Sequence, residues 1–516
     1  MDKSASHIQL RCKRKCATMR PRARILLASG GARKLKFCSL TLMNRAPSVM
    51  FNSDCLLSCA ESSSPCQADD GTCIYTQGSM HDVARNIISK RHTEPDAFFL
   101  CDLRDIANKV DLWRECLPRV VPYYAIKSCR DPVVLNILNN LGVSFDCTNK
   151  LELTAVLNMG VSPDRIVLAS TIKDPRDIEF ALKHKVTFMT FDSVEELSKV
   201  EGKNVRLLLR IHANERGSYY SFNKKFGCSF CDAKRVLHEV RTRGCNVVGV
   251  SFHVGSAYEF PEIFHTTIEK AKAVLDLAKI MGIHMTVLNI GGGFPGGLRK
   301  VEKFIKVCEN IRSATDLHFP ASSGVEIIAE PGQFFITSCY ALVVQVIGKR
   351  HRDILVDGIS QPHQDVFINE SRNNCVSRPL YDFLDVRYWP LQEPLERARD
   401  QLTTVWGGTC DSMDCLDNAK PLFDVSVGEW LLMDNIGAYS LSCATGFNGV
   451  PFPAVHYIVP QDGVSLVRHI LDASPLISGY SQPESVLKKA LLDLWKAETA
   501  RRSSRIVTPS SEARVT

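Results

Sequence analysis

The 516-residue chain has no run of about 18 consecutive apolar residues, so no membrane-spanning helix and no membrane partner are expected. It has almost no acid at its front, where residues 1–53 carry twelve Lys or Arg and one acid, Asp2. The formal net charge of +7 therefore comes from that segment, and the remainder holds 51 basic against 55 acidic side chains. A slightly acidic body gives nucleic acid little to hold, and no nucleic-acid partner is expected. A complete metal motif is missing too. Cys228 and Cys231, and Cys12 and Cys16, have ligand-like spacing. Neither has a second pair or a His-x-x-x-His partner, so no metal is expected. The twenty cysteines read as free thiols of a reducing compartment.

The basic front is acid-poor and contains serines, the composition of a mitochondrial transit peptide, but no amphipathic helix is visible in it. A disordered arm, or sequence upstream of a second start at Met50, is preferred over an RNA-attracting tail or a working targeting signal. The expected compartment is the cytoplasm, with the mitochondrion as the alternative. Residues 1–73 are read as this extension.

From Tyr123 onward, eight short apolar runs recur, each ended by a polar residue or glycine. They are Tyr123–Ile126, Ser144–Phe145, Ile166–Leu168, Thr187–Phe191, Arg206–Ile211, Val247–Phe252, Thr286–Ile290 and Glu326–Ala329. Stretches of helical periodicity separate them, such as Pro132–Leu141 and Glu262–Met281. Eight strand–helix units in series predict an α/β fold, a (β/α)8 TIM-type barrel over residues 104–338. Residues 339–472 differ: strand-like runs such as Val343–Ile347 and Val455–Val459 are broken by Gly, Pro and Asp. They predict an antiparallel β-domain, which residues 74–103 join. Residues 473–516 read as a helix followed by a disordered Ser/Arg-rich tail.

In such a barrel the chemistry sits at the C-terminal ends of the strands. The first run ends at Lys127 and the second at Asp146. The fifth carries Arg210, and the sixth leads to His253 and Ser256. The seventh runs into Gly291, Gly292 and Gly293, and the eighth ends at Glu330. An amine, acids, a guanidinium, an imidazole and a glycine loop thus converge on one rim. That set suits pyridoxal 5'-phosphate. Lys127, desolvated at a strand end, would form the Schiff base. Glu330 would keep the pyridine nitrogen protonated, and His253 would stack on the ring. The glycine loop and Ser256 would donate to the phosphate.

Six segments carry a resemblance: Tyr123-Tyr-Ala-Ile-Lys127, Ser251-Phe-His-Val-Gly-Ser256, Gly291-Gly-Gly-Phe-Pro-Gly296, Ala329-Glu-Pro-Gly332, Trp406-Gly-Gly-Thr-Cys-Asp411 and Gly437-Ala-Tyr439. Over roughly residues 75–470 the chain resembles the eukaryotic ornithine decarboxylase family. That branch also holds antizyme inhibitors, and diaminopimelate decarboxylases and alanine racemases share its architecture. The resemblance implies decarboxylation of a small amino-acid substrate, ornithine or another basic amino acid, giving a polyamine such as putrescine. It also implies a homodimer with shared active sites. In it Asp146, Glu152, Arg210 and His253 surround the cofactor and Tyr439 reaches its phosphate. Cys410 comes from the partner subunit as a proton donor. Tyr381, Asp382 and Asp411 bind substrate, the two acids gripping its distal ammonium.

The chain departs from the family pattern at several positions. Gln333 and Phe334 replace an arginine that clamps the phosphate and the tyrosine after it. Asn289 replaces an acid before the glycine loop. The segment Glu370-Ser-Arg-Asn373-Asn-Cys-Val is rewritten, with Asn373 in place of an interface tyrosine. Arg299 and Lys300 are expected to restore the phosphate's counter-charge. The rewritten segment raises a shift toward an apolar substrate such as leucine. The altered cofactor site raises an antizyme-inhibitor-like regulator, against which the persistence of Lys127 and Cys410 stands.

Overall fold

The computed structural model describes residues 66–67, 73–90, 96–214, 217–219, 222–376 and 385–473. Most of the N-terminal extension, the Ser/Arg-rich tail, Tyr381 and Asp382 lie outside them. The described chain enters through strands β1 (Cys66–Gln67) and β2 (Cys73–Tyr75), helix α1 (Met80–Lys90) and strand β3 (Phe98–Asp102), then helix α2 (Leu103–Cys116). Eight strands follow: β4 (Val120–Ala125), β5 (Ser144–Cys147), β6 (Ile166–Leu168), β7 (Phe188–Phe191), β8 (Arg206–Arg210), β9 (Val247–Ser251), β10 (Val287–Asn289) and β11 (Glu326–Ala329). Every neighbouring pair is parallel, and the series closes where β11 pairs with β4.

Each barrel strand leads to a helix: α3 (Pro132–Asn140), α4 (Lys150–Asn158), α5 (Pro175–Lys183), α6 (Val194–Val200), α7 (Phe230–Thr242), α8 (Ile263–Ile280), α9 (Val301–His318) and the short α10 (Gln333–Ile336). The starts are written locally. Asp131, Asn149, Asp174 and Ser229 each accept a hydrogen bond from a first-turn N–H, and Pro132 and Pro175 stand at the first helical positions. Tyr123, Val167, Phe188, Leu208, Val287 and Ile328 form one buried cluster drawn from six of the strands. The barrel is therefore a packed core and not a pore.

After α10 the chain builds the second layer: β12 (Tyr340–Val356), β13 (Ile359–Ile368), β14 (Tyr388–Pro390), β15 (Gln401–Trp406), β16 (Cys415–Leu422), β17 (Trp430–Met433) and β18 (Ala454–Ile458), with α11 (Val464–Ala473) last. These join β1–β3 in one ten-stranded sheet. The sheet is mixed rather than wholly antiparallel: β18 runs parallel to β2 and β3, and β13 parallel to β15. The reason is chain path. Hairpins force antiparallel pairing, whereas the whole barrel intervenes between β3 and β18 and frees their relative direction. Asp131, at the cap of α3, accepts hydrogen bonds from Tyr340 at 2.6 Å and Tyr457 at 2.8 Å, fastening sheet to barrel. No described helix is long and apolar enough to cross a membrane.

Candidate active site

Strand β4 ends at Ala125, and Ile126–Ser128 form a single 3-10 turn that lifts Lys127 onto the rim. Its Nζ donates to Asp146 Oδ2 at 2.6 Å. Asp146 belongs to β5 and is fully buried, and its Oδ1 has no hydrogen-bond partner within the protein. An orphaned buried carboxylate oxygen is costly unless a ligand or water completes it. The Lys127 ammonium is set by a balance between burial and its anionic neighbours. Burial does press its pKa down, but the facing Asp146, Tyr439 and Glu330 outweigh it and hold the ammonium above the ordinary lysine range. The amine becomes a nucleophile only after passing a proton to a neighbour.

Glu330 is the neighbour suited to hold one. Burial, with the charge of Asp146, raises its carboxyl to about 7, against the opposing pull of Lys127, Asn289 and Arg210. Asn289, wholly buried at the end of β10, donates Nδ2 to Glu330 Oε1 at 2.7 Å. Its Oδ1 accepts the Gly291 N–H at 2.9 Å. One amide thus aims the acid and fixes the glycine loop. Sequence reading flagged Asn289 only as a departure, and its two partners emerge only in three dimensions.

The loop needs its glycines. Gly291 has φ +65°, and a Cβ there would lie 2.0 Å from the Phe252 carbonyl oxygen. A Cβ on Gly292 would lie 2.7 Å from the Glu330 carbonyl oxygen and 2.8 Å from His253 Nε2. The backbone therefore runs against His253, as close approach to a bound group requires. His253 Nδ1 accepts the Gly255 N–H at 3.0 Å, which leaves the proton on Nε2. Burial, then the charges of Arg210 and Lys127, push its pKa well below the ordinary value, so the ring is neutral. Arg210 ends β8 and stacks over Phe226, 4.8 Å from the ring centroid. Ser256 follows on the His253 loop. Glu152 Oε2 accepts from the Thr148 N–H and hydroxyl, closing the start of α4, while its carboxyl feels the charges of Asp146 and Lys127.

The sheet contributes Tyr439. Its N–H donates to the Ser128 carbonyl at 2.8 Å, beside Lys127, and its backbone is left-handed at φ +56°. Two further loops stand apart. Cys410 is exposed on the turn between β15 and β16, next to Asp411. Asp411 accepts from Asn373 Nδ2 at 2.8 Å and the Met413 N–H at 2.9 Å. Buried Asp414 ties the two loops together by accepting from the Ser371 hydroxyl, the Arg372 N–H and the Thr409 hydroxyl. Within one chain no hydrogen bond or ion pair among the described residues links this 407–414 turn to Lys127, Asp146, His253 or Glu330. The rim therefore gathers Lys127, Asp146, Arg210, His253, Ser256, the glycines, Glu330 and Tyr439, without Cys410 and Asp411.

The expectation that Arg299 offers charge to a phosphate is also corrected. Its guanidinium is spent on the sheet, at 2.6 Å from Asp385 and 2.9 Å from both oxygens of Asp434. Gln333, the first residue of α10, donates Nε2 to the Phe294 carbonyl at 3.2 Å. The unsatisfied Asp146 oxygen, the glycine backbone against a neutral imidazole and the raised Glu330 carboxyl fit a planar aldehyde-bearing pyridine phosphate.

Comparison with known proteins agrees with this geometry. A family model described as "Pyridoxal-dependent decarboxylase, pyridoxal binding domain" matches residues 103–337. The chain is 33% identical to ornithine decarboxylase of Rattus norvegicus over 385 residues, 73% of this chain and 84% of the relative. It is 35% identical to antizyme inhibitor 2 of Xenopus laevis over 372 residues, 71% and 82% of the two chains. Among solved structures it resembles the Paramecium bursaria Chlorella virus arginine decarboxylase bound to agmatine, with TM-score 0.68 and 31% identity. That match covers 73% of this chain and all of the other.

Proposed function

Since the chain belongs to the pyridoxal-dependent decarboxylase family that contains ornithine decarboxylase, we propose that it removes the α-carboxylate of a basic amino acid such as ornithine. The observation that carries the reading is the rim in which Lys127, buried Asp146 and half-buried Glu330 share charge around a neutral His253. When bound, pyridoxal phosphate supplies a conjugated ring that accepts the electron pair left at Cα as CO2 departs. Lys127 Nζ would hold the cofactor by its aldehyde end, with Asp146 orienting that nitrogen. Glu330, aimed by Asn289, holds a proton at the ring nitrogen. His253 covers one ring face without adding charge. Tyr439, Ser256 and Gly291–Gly293 hold the phosphate end. Cys410 of a second copy returns a proton to Cα, and Asp382 and Asp411, with Tyr381, take the distal ammonium.

A second substrate reading rests on one observation. Both Asp411 oxygens already accept hydrogen bonds, one from Asn373. An acid so satisfied binds an ammonium less strongly, which favours an apolar side chain such as leucine. Purified protein with added pyridoxal phosphate should show the visible absorbance of the bound cofactor, and Lys127→Ala should lose it. CO2 release from ornithine, lysine, arginine and leucine then ranks the substrates. Absence of both absorbance and CO2 release would favour the antizyme-inhibitor-like regulator instead.

A further inference from the structure

Asn289, Gly291 and Glu330 form a closed ring of hydrogen bonds where β10 and β11 end. Asn289 Nδ2 donates to Glu330 Oε1 at 2.7 Å. The Gly291 N–H donates to Asn289 Oδ1 at 2.9 Å. The Glu330 N–H donates to the Gly291 carbonyl at 2.7 Å and closes the ring. Asn289 is wholly buried, so its amide is withdrawn from solvent.

This ring has only one direction. A backbone N–H can only donate, so the amide must turn its oxygen to Gly291 and its NH2 to Glu330. An amide N–H needs a lone pair to bond, so Oε1 meets it without a proton. Any proton on this carboxyl therefore sits on Oε2, which accepts no hydrogen bond among the described residues. Charges from several elements reach the same carboxyl. Burial, then Asp146 of β5, raises its proton affinity. Lys127 after β4, the Asn289 donor and Arg210 at the end of β8 lower it. The other titratable groups of the rim, His253 and Tyr439, are held neutral, first by burial. An acid in place of the amide would meet Oε1 with a lone pair instead of a donor, and two carboxyls would have to share one proton.

We propose that Asn289 is a positioning residue that assigns the proton of Glu330 to Oε2, keeps the carboxyl able to release it, and so sets its exchange with a basic ring nitrogen. The inference rests on the cofactor reading above and adds which oxygen of Glu330 carries the proton and which residue decides it. The exchange balances within the pair. The Oε2–H bond breaks, an N–H bond forms at the ring nitrogen, and the electron pair stays on the carboxylate, beside the Asn289 N–H.

The test compares wild type, Asn289→Asp and Asn289→Leu, each first checked for folding by circular dichroism. Asp keeps an oxygen for the Gly291 N–H and exchanges only the donor to Glu330, whereas Leu removes both contacts. The infrared carbonyl band of protonated Glu330, identified by its loss in Glu330→Gln, is titrated on the apo chains. Its midpoint should rise in Asn289→Asp by about one pH unit or more, roughly a tenfold gain in proton affinity. Asn289→Leu should move it in the same direction, and decides the matter alone should the Asp variant not fold. An unmoved midpoint overturns the proposal and reduces Asn289 to a brace for the glycine loop. Kd is then measured for pyridoxal phosphate and for its deaza analogue, in which carbon replaces the ring nitrogen. Asn289→Asp should weaken pyridoxal phosphate by about tenfold, through loss of a charge-assisted hydrogen bond, and leave the analogue unchanged. Equal losses for both compounds overturn the exchange with the ring nitrogen. Wild type that binds neither compound, with the band midpoint still dependent on Asn289, would sink the decarboxylase reading and leave the proton assignment standing.

Discussion

At the residue scale, the notable groups are buried carboxyls whose protons are held near neutrality. Glu330 and Glu370 are both raised to about 7, in each case first by burial. Glu370 accepts from the Ser371 N–H at 2.7 Å and Asn374 at 3.3 Å, which only partly offsets its desolvation. The linkage sign follows directly. A carboxyl with a folded pKa above its unfolded value near 4.5 binds protons more tightly when folded. Its stabilising contribution is complete below that unfolded value and is lost as pH rises through about 7. His253 works in the opposite sense, so the wild-type pH curve alone is not diagnostic. The difference between wild type and Glu370→Gln isolates one group. Urea midpoints should coincide near pH 5, and the variant should be the more stable by about 2–3 kcal/mol at pH 8. A gap that does not change with pH would refute the raised carboxyl. Glu330 was legible in the sequence because it ends a predicted strand. Glu370 was not, since a buried acid in a loop reads like any polar turn residue until its surroundings are known.

At the element scale, the barrel was legible almost strand by strand. Parallel strands covered on both faces are continuous apolar runs, and all eight fall within about three residues of the expected bounds. The sheet was less legible. The run at 343–347 is only the front of strand β12, because the polar Lys349–Arg352 stretch pairs onward with β13 as a partly exposed ribbon. Strand β16, Cys415–Leu422, lacks alternation and lies at the end of the sheet's strand order, where burial imposes no pattern. Arg299 shows how elements interlock. It stands before α9, yet its partners Asp385 and Asp434 flank β14 and end β17. Asp434 also accepts from the Arg387 N–H and Trp389 Nε1, so losing the arginine removes only part of its support. Arg299→Ala should therefore lower unfolding free energy by about 2 kcal/mol. Cofactor Kd should stay the same. A large loss of cofactor affinity with unchanged stability would return Arg299 to the phosphate.

At the scale of the whole molecule, the proposed function divides the site into two halves of a single chain. One is the rim with Lys127, and the other is the turn carrying Cys410 and Asp411, braced by Asp414 and Asn373. Cys410 is exposed, as are Met413, three residues on, and Phe447, at 61% and 50%. Exposure of a thiol together with large apolar side chains suits a surface that a second copy covers. In a two-fold dimer the same patch serves twice, so each Lys127 rim would meet the partner's turn. This arrangement makes a prediction no single-chain site can imitate. Lys127→Ala and Cys410→Ala would each abolish most CO2 release alone, through different half-sites. Mixed after dissociation and reassociation in equal amounts, half of the dimers are heterodimers. Each heterodimer has one site with both defects and one with neither. Activity should therefore recover to about a quarter of wild type. Recovery should be absent when the two substitutions are placed in the same chain and mixed with itself. Failure of the separate variants to complement, with exchange confirmed by mass-tagged subunits, would mean that each chain completes its own site.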